Sequence, residues 1–223
     1  MNVLERLIGV MAPHNCVVCD AEGEVLCRGC LYSELASVPS RCYRCYRASA
    51  QHAVCSGCRK STSIKNMWIA AHYDQAAKEL LHKLKYERAI AGAKTVAGAI
   101  RNSLPNLPPN TVICYVPTAN GRVRKRGYDQ AREIAARLAK LSGLSEQPYL
   151  ARRGKSRQVG SGRTDRFKQL EGAFRARNTN KLKGSTVLLV DDVITTGATI
   201  ESAAKILKQN GAKNIYAAVF AQA

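Results

Sequence analysis

Val187-Leu188-Leu189-Val190-Asp191-Asp192-Val193-Ile194-Thr195-Thr196-Gly197-Ala198-Thr199 is the stretch whose reading decides the fold. Four consecutive apolar residues bounded by polar ones predict a buried strand, and the Gly and Thr residues that follow can open a helix with a free N-terminus. Backbone N–H groups at such a helix start attract a phosphate dianion. The Thr hydroxyls add donors, and Gly197 lets the backbone approach closely. Asp191 and Asp192 then stand at the lip of a phosphate cradle, where sugar hydroxyls or a metal can be held. An acidic pair after a strand is also half of a P-loop nucleotide site, but the other half is missing. Gly154-Lys155-Ser156 has Tyr149 where the first P-loop glycine belongs, and no apolar strand leads into it; Gly160-Ser161-Gly162 lacks the third glycine of a dinucleotide fingerprint.

Outward from that stretch, strands alternate with helices. Met67 to Tyr73 is an apolar strand candidate, and Asp74 can cap a helix carrying Ala77, Leu80, Leu81 and Leu84 on one face. A second helix is expected from about Ala89 to Leu104, ended by Pro105, Pro108 and Pro109. Thr111 to Val116 is the next buried strand, with Cys114 a small residue inside it. A helix follows from Tyr128 to Leu141, then the strand Val187 to Val190, a helix from Ala198 to Gln209 stopped by Gly211, and a last strand from Asn214 to Phe220. Such repetition implies right-handed crossovers and a mainly parallel sheet, whose ligands bind beyond the carboxyl ends of strands. That rule puts the site at two loops, residues 117–121 and 191–199.

Of nine cysteines, eight form four Cys-x-x-Cys pairs within the first 58 residues: Cys16/Cys19, Cys27/Cys30, Cys42/Cys45 and Cys55/Cys58. Two such knuckles bind one tetrahedral ion, so four supply ligands for two Zn²⁺. Disulfides and an iron–sulfur cluster are the competing uses of the same thiols. Gaps of seven, eleven and nine residues between successive pairs allow either neighbouring or cross-braced knuckles to share an ion. Eight thiolates fill two shells and leave no open position for water, so the zinc would be structural. It would supply much of the folding free energy of so small a module. No stretch approaches the roughly 20 apolar residues of a membrane span, and the N-terminus has neither a basic lead nor a long apolar centre; a cytoplasmic protein without membrane insertion is expected.

Charge is uneven. The 223 residues carry a formal +19; residues 1–60 hold seven Lys/Arg against five Asp/Glu, whereas residues 61–223 hold 28 against 11. Two basic segments dominate, one containing Arg122, Arg124, Lys125 and Arg126, the other Arg152, Arg153, Lys155, Arg157, Arg163, Arg166 and Lys168. A surplus of that size suits neutralisation of several nucleic-acid phosphates, so single-stranded DNA is an expected partner. Tyr115, Tyr128, Tyr149 and Phe167 lie in or beside these segments as candidates for base stacking, or for core packing. A duplex-reading regulator is disfavoured, because no helix-turn-helix signature is present.

Residues 187–199 resemble the thirteen-residue motif by which type I phosphoribosyltransferases bind phosphoribosyl pyrophosphate (PRPP), matching every fixed position. The segment 117–131 resembles the Pro-x-x-x-x-Arg-x-x-x-Arg-Gly-[Phe/Tyr]-[Asn/Asp]-Gln-Ala stretch of the ComF family of competence proteins and its GntX relatives, through Arg122, Arg126, Gly127, Tyr128, Gln130 and Ala131. A second stretch of that family is matched by Gln158, Arg163, Arg166, Ala173 and Phe174, with Asp129 and Gln169 departing from the commoner Asn. With the four knuckles, the resemblance spans nearly the whole chain.

It implies a type I phosphoribosyltransferase-like α/β fold, a mainly parallel sheet with flanking helices in residues 63–223, preceded by a double zinc-ribbon module in residues 1–62. It further implies PRPP binding by Asp191, Asp192, Val193, Ile194, Thr195, Thr196, Gly197, Ala198 and Thr199, with Thr118 and Arg122 opposite, and with Mg²⁺ arriving on the substrate. If the chain is an enzyme, Asp191 and Asp192 serve the ribose, and Arg126 and Arg166 the leaving pyrophosphate. DNA contacts fall to Arg122, Arg124, Lys125, Arg126, Arg152, Arg153, Lys155, Arg157 and Arg163. A role in DNA uptake and natural transformation, beside cytoplasmic uptake factors such as a helicase, is implied by the same resemblance. A PRPP sensor or scaffold without turnover, and a transferase of nucleotide metabolism, are the alternatives.

Overall fold

The computed structural model describes residues 14–87, 90–153 and 172–223. Its centre is a five-stranded, wholly parallel sheet built from β1 (Met67–His72), β2 (Thr111–Tyr115), β3 (Ser145–Glu146), β6 (Thr186–Ile194) and β7 (Asn214–Gln222), in the order β1-β7-β6-β2-β3. A two-stranded antiparallel hairpin joins β4 (Leu150–Arg152) to β5 (Phe174–Ala176).

The apolar run at Val187 is continuous because both faces of the sheet are covered. Val187 and Leu189 join a buried cluster with Ile200, Ala203 and Leu207 of helix α8 (Ala198–Gln209). Leu188 and Val190, pointing the other way, join one with helices α3 (Gln75–Tyr86), α4 (Gly92–Ser103) and α6 (Gln130–Ser142) through Leu80, Val96 and Ile134. Each fully buried Leu stabilises the fold by about 1.5–3 kcal/mol. Asp74 caps α3 by accepting from the Ala77 amide at 2.9 Å, and Asp129 caps α6 by accepting from Ala131 at 3.2 Å.

The last two long strands exceed their expected lengths. β6 continues through the acidic pair to Ile194, and β7 through Ala221 to Gln222, because the two pair with each other in the register Asp191↔Val219, Val193↔Ala221 and Ile194↔Gln222. On its other side β6 loses its partner at Tyr115↔Val190, where β2 ends. The acidic pair therefore sits on a strand that is hydrogen-bonded on one edge and open on the other. From this point the chain leaves β2 through residues 116–129 for α6 and leaves β6 for α8, and these two helices cover opposite faces. That reversal is the switch point at which open α/β sheets form their ligand crevice.

Several short elements lie below the length at which sequence periodicity can be read, among them the two-residue β3 and the four-residue helix α7 (Thr179–Leu182). Residues Asn120–Arg126, expected as a loop, form helix α5, which ends at Gly127 in a left-handed conformation (φ 88°) whose amide donates to the Val123 carbonyl at 2.7 Å. The β4–β5 hairpin has strands of only three residues.

The cysteine-rich head wraps the β1 edge. Before it lie helices α1 (Arg28–Glu34) and α2 (Ser56–Arg59). Val25 and Leu26 share the buried cluster of Leu80, and Gly92 permits that approach, since a Cβ there would lie 3.3 Å from Leu80 Cδ1 and 3.7 Å from Val25 Cγ1. Val38, Tyr43 and Val54 instead join the cluster on the opposite face, with Met67 and Ile69. Among the described residues, no helix is long and apolar enough to cross a membrane.

Candidate functional site

Beyond the carboxyl end of β6, residues 193–200 curl around a solvent-open concavity of about 270 Å³, closed by Asp191 and Val219. The curl is made by Gly197 at φ 77°, a left-handed conformation that an L side chain resists by roughly 1–2 kcal/mol. From it the 12-residue α8 begins, so its first amides face the concavity with the positive end of the helix dipole. The structure thus gathers Asp191, Val193, Ile194, Thr195, Thr196, Gly197, Ala198 and Thr199 around one concavity, whereas Asp192 is not among its lining residues and pairs with Lys85.

Two carboxylates stand on adjacent residues at this lip. Asp191 accepts from the Asp192 amide at 2.9 Å and Asp192 from the Val193 amide at 2.8 Å. Burial, reinforced by the Asp192 carboxylate, pushes the Asp191 carboxyl well above the usual range. Asp192 is instead paired with Lys85, whose Nζ lies 2.6 Å from its Oδ2 with both side chains largely buried. Lys85, at the C-terminal end of α3, is a residue that sequence reasoning misses: it falls on no motif, and only the packing of α3 over the sheet aims it at β6.

The facing wall comes from β2 and the hairpin. Asp129 accepts both the amide and the hydroxyl of Thr118 at 2.9 Å, in addition to capping α6. An acceptor-only side chain fits these three donors. Thr118 is accordingly braced rather than free. Arg152 donates to the Pro117 carbonyl at 3.4 Å and lies 5.2 Å over the Phe174 ring; burial and then the Arg122 charge lower its pKa, against the opposing pull of Asp191 and Asp129. Arg122, Arg124, Lys125 and Arg126 all ride on α5, and none forms an ion pair among the described residues. Arg153 follows the hairpin strand, its amide bonded to the Ala173 carbonyl at 2.8 Å. Lys155, Arg157, Gln158, Arg163, Arg166, Phe167, Lys168 and Gln169 lie outside the described residues.

Of the two uses open to the candidate aromatics, the structure shows core packing for the three that it describes. Tyr149 is 2% exposed and packs in the core, its hydroxyl bonded to the Lys181 carbonyl at 3.2 Å, so it has no face to offer a base. Tyr115 and Tyr128 are half-buried against the core, and the Tyr128 hydroxyl donates to the Leu84 carbonyl. The exposed aromatic beside the basic helix is Tyr86, with the Arg126 guanidinium 5.1 Å from its ring centroid.

The eight paired cysteines resolve into two sets, Cys16, Cys19, Cys27 and Cys30, and Cys42, Cys45, Cys55 and Cys58, the sulfurs of each lying within 4.8 Å of one another. Neighbouring knuckles share a site, and cross-bracing is excluded. Sulfur–sulfur separations of 3.7 Å for Cys19–Cys27 and 3.5 Å for Cys45–Cys55 approach the ~3.8 Å edge of a tetrahedron with 2.3 Å metal–sulfur bonds and far exceed the ~2.05 Å of a disulfide. Amides of Cys27 and Cys30 point at Cys16 and Cys27 sulfurs at 3.4 and 3.5 Å, as in a metal-binding knuckle. Although burial opposes it, such donors lower the Cys16 and Cys42 thiols to about 6. The donor set fits two tetrahedral ions. Cys114 is buried in β2 and belongs to neither set.

The parallel sheet, the acidic pair on its central strand and the helix-borne anion cradle define a phosphoribosyltransferase-type α/β domain; residues 123–223 match the phosphoribosyl transferase domain family. Over 202 residues the chain is 30% identical to competence protein F of Haemophilus influenzae, spanning 85% of this chain and 87% of that one. It is 27% identical to competence protein ComFC of Bacillus subtilis over 198 residues, 84% and 80% of the two chains. It is also 29% identical to DNA utilization protein YhgH of Escherichia coli K12 over 177 residues, 74% and 76% of the two. The chain belongs to the ComF family.

Proposed function

We propose that the protein binds PRPP in the Asp191–Thr199 cradle and acts in the handling of DNA taken up by the cell, binding a single strand through its basic surface. The observation that carries the first half is the joining of a complete PRPP motif to an open concavity at the sheet's switch point. The relatives named for competence and DNA utilization, together with the +17 excess of residues 61–223, support the second.

In this reading the amides and hydroxyls of Thr195, Thr196, Gly197, Ala198 and Thr199 hold the 5′-phosphate, and Asp191 and Asp192 take the ribose diol. Mg²⁺ would come with the substrate, neutralising pyrophosphate oxygens while keeping most of its waters. Loss of pyrophosphate from C1′ leaves positive charge on the ribose, which the two carboxylates stabilise. Lys85, Arg122, Arg126 and Arg166 supply cations for the leaving group, and Lys85 must leave Asp192 to do so. Zinc in both clusters supports the edge of β1 rather than the chemistry, and a reducing cytoplasm keeps the eight thiols available.

The test is calorimetric titration with PRPP and Mg²⁺, followed by assay of pyrophosphate release with bases, nucleotides and DNA. Asp191→Ala with Asp192→Ala should abolish binding in a folded protein; unchanged affinity would refute the site. Release would mark a transferase, and tight binding without release the sensor or scaffold. For DNA, Arg124→Ala with Lys125→Ala should weaken single-strand binding and reduce its salt dependence together; affinity indifferent to salt would remove the electrostatic half of the proposal.

A further inference from the structure

The second cysteine cluster reaches the phosphate cradle. Tyr43 and Arg44 are the two residues between Cys42 and Cys45, and both are directed at Glu201, in the first turn of α8. Arg44 Nη1 pairs with Glu201 Oε1, and the side chains are 27% and 11% exposed. The Tyr43 hydroxyl donates to the same oxygen and lies 2.9 Å from the Thr62 hydroxyl. Thr62 in turn donates to Glu201 Oε2 at 2.7 Å and is itself fixed by the Ile64 amide at 3.1 Å. Three donors from the head thus converge on one carboxylate of the site helix. The Tyr43 ring also backs the loop: a methyl placed on Gly197 would lie 3.7 Å from its Cε2. Glu201 is tied to the same turn by its own amide, which donates to the Gly197 carbonyl at 2.9 Å.

A carboxylate in the first turn of a helix seeks the same positive end that a bound phosphate needs, and two anions cannot both have it without cost. Arg44, Tyr43 and Thr62 take up that charge elsewhere. We propose that Tyr43, Arg44 and Thr62 are positioning residues for the phosphate cradle: by holding Glu201 they fix the first turn of α8 and leave its amides to the ligand, so the integrity of the Cys42/Cys45 knuckle is transmitted to anion binding. This rests on the reading of the cradle as a phosphate site. The other cluster, which packs on the opposite face, has no part in it.

The full-length protein is compared with Arg44→Ala, Arg44→Ala/Glu201→Gln and Cys45→Ser, by amide hydrogen exchange over residues 195–201 and by PRPP titration with Mg²⁺. Arg44→Ala should speed exchange in that segment and weaken PRPP on the order of tenfold, the scale of one charge-assisted hydrogen bond. Neutralising the carboxylate that has lost its cation in the double variant should recover most of the affinity, a rescue that simple unfolding cannot produce. Cys45→Ser, with Glu201 untouched, should reproduce the exchange change. Unaltered exchange in Arg44→Ala overturns the proposal, as does weakened binding that Glu201→Gln fails to rescue. If the wild-type protein binds no PRPP, the proposed function falls by itself, because exchange reads the positioning without ligand.

Discussion

Replacing Asp192 by Ala strands Lys85 beside the remaining carboxyl of Asp191. At 2.6 Å the pair attracts by roughly 6 kcal/mol with an effective dielectric of 20, most of which is cancelled by the cost of desolvating both ions. Removing one partner of a fully buried pair costs about 3–5 kcal/mol; with a fifth or less of each side chain still exposed, about 2 kcal/mol is expected here. In a chain of 223 residues that lowers Tm by about 4–8 °C. The assay is urea denaturation of metal-saturated protein for wild type, Asp192→Ala, Lys85→Met and the double variant. The double variant should be more stable than Asp192→Ala alone, because no buried ammonium is left unpaired, giving a coupling energy above about 1 kcal/mol. Additive effects within about 0.5 kcal/mol would refute the argument that these two groups satisfy each other in the ligand-free site.

Asp191 yields the opposite sign. Its carboxyl is raised above its unfolded value by burial and by Asp192, so its contribution to stability is complete below the ordinary carboxylate range and is lost as pH rises through the raised value. Asp191→Asn should therefore melt higher than wild type at neutral and alkaline pH and show a flatter pH dependence, even as it weakens PRPP; a variant that melts lower across this range contradicts the direction. Metal analysis under reducing conditions should return two zinc ions per chain, falling to one in a folded Cys42→Ser variant, and a metal-free native protein would reject the zinc reading. Gly197→Ala, forced to φ 77°, should cost about 1–2 kcal/mol in denaturant titrations and weaken PRPP binding as the loop shifts; a neutral result would show that the loop tolerates another backbone conformation.

Local pattern carries much of the architecture. The run Val187–Val190 predicts a strand covered on both faces, Asp74 predicts the start of α3, and Ala77, Leu80, Leu81 and Leu84 name its buried stripe; each is a signal contained within a few residues. The helix Ala198–Gln209 matches its expected bounds, because the Gly and Thr residues before it and Gly211 after it are strong local punctuation. Cys-x-x-Cys spacing likewise marks the ligands, but not their partition, since gaps of seven to eleven residues are compatible with more than one pairing.

What sequence determines by itself is therefore four of the five sheet strands, the acidic pair, the glycine turn and the eight thiols, all of them encoded by neighbours along the chain, whereas the two-residue β3 is not. Tertiary structure alone decides that β6 stays paired to β7 through Asp192 while β2 has ended, that Lys85 reaches Asp192 from 107 positions away, and that Arg44 reaches Glu201 across 157. Such contacts leave no periodic or spacing signature. They arise where helices and a cysteine knuckle are packed against a common sheet, and the free energy that holds them is that of burying the two apolar faces, not of any local preference.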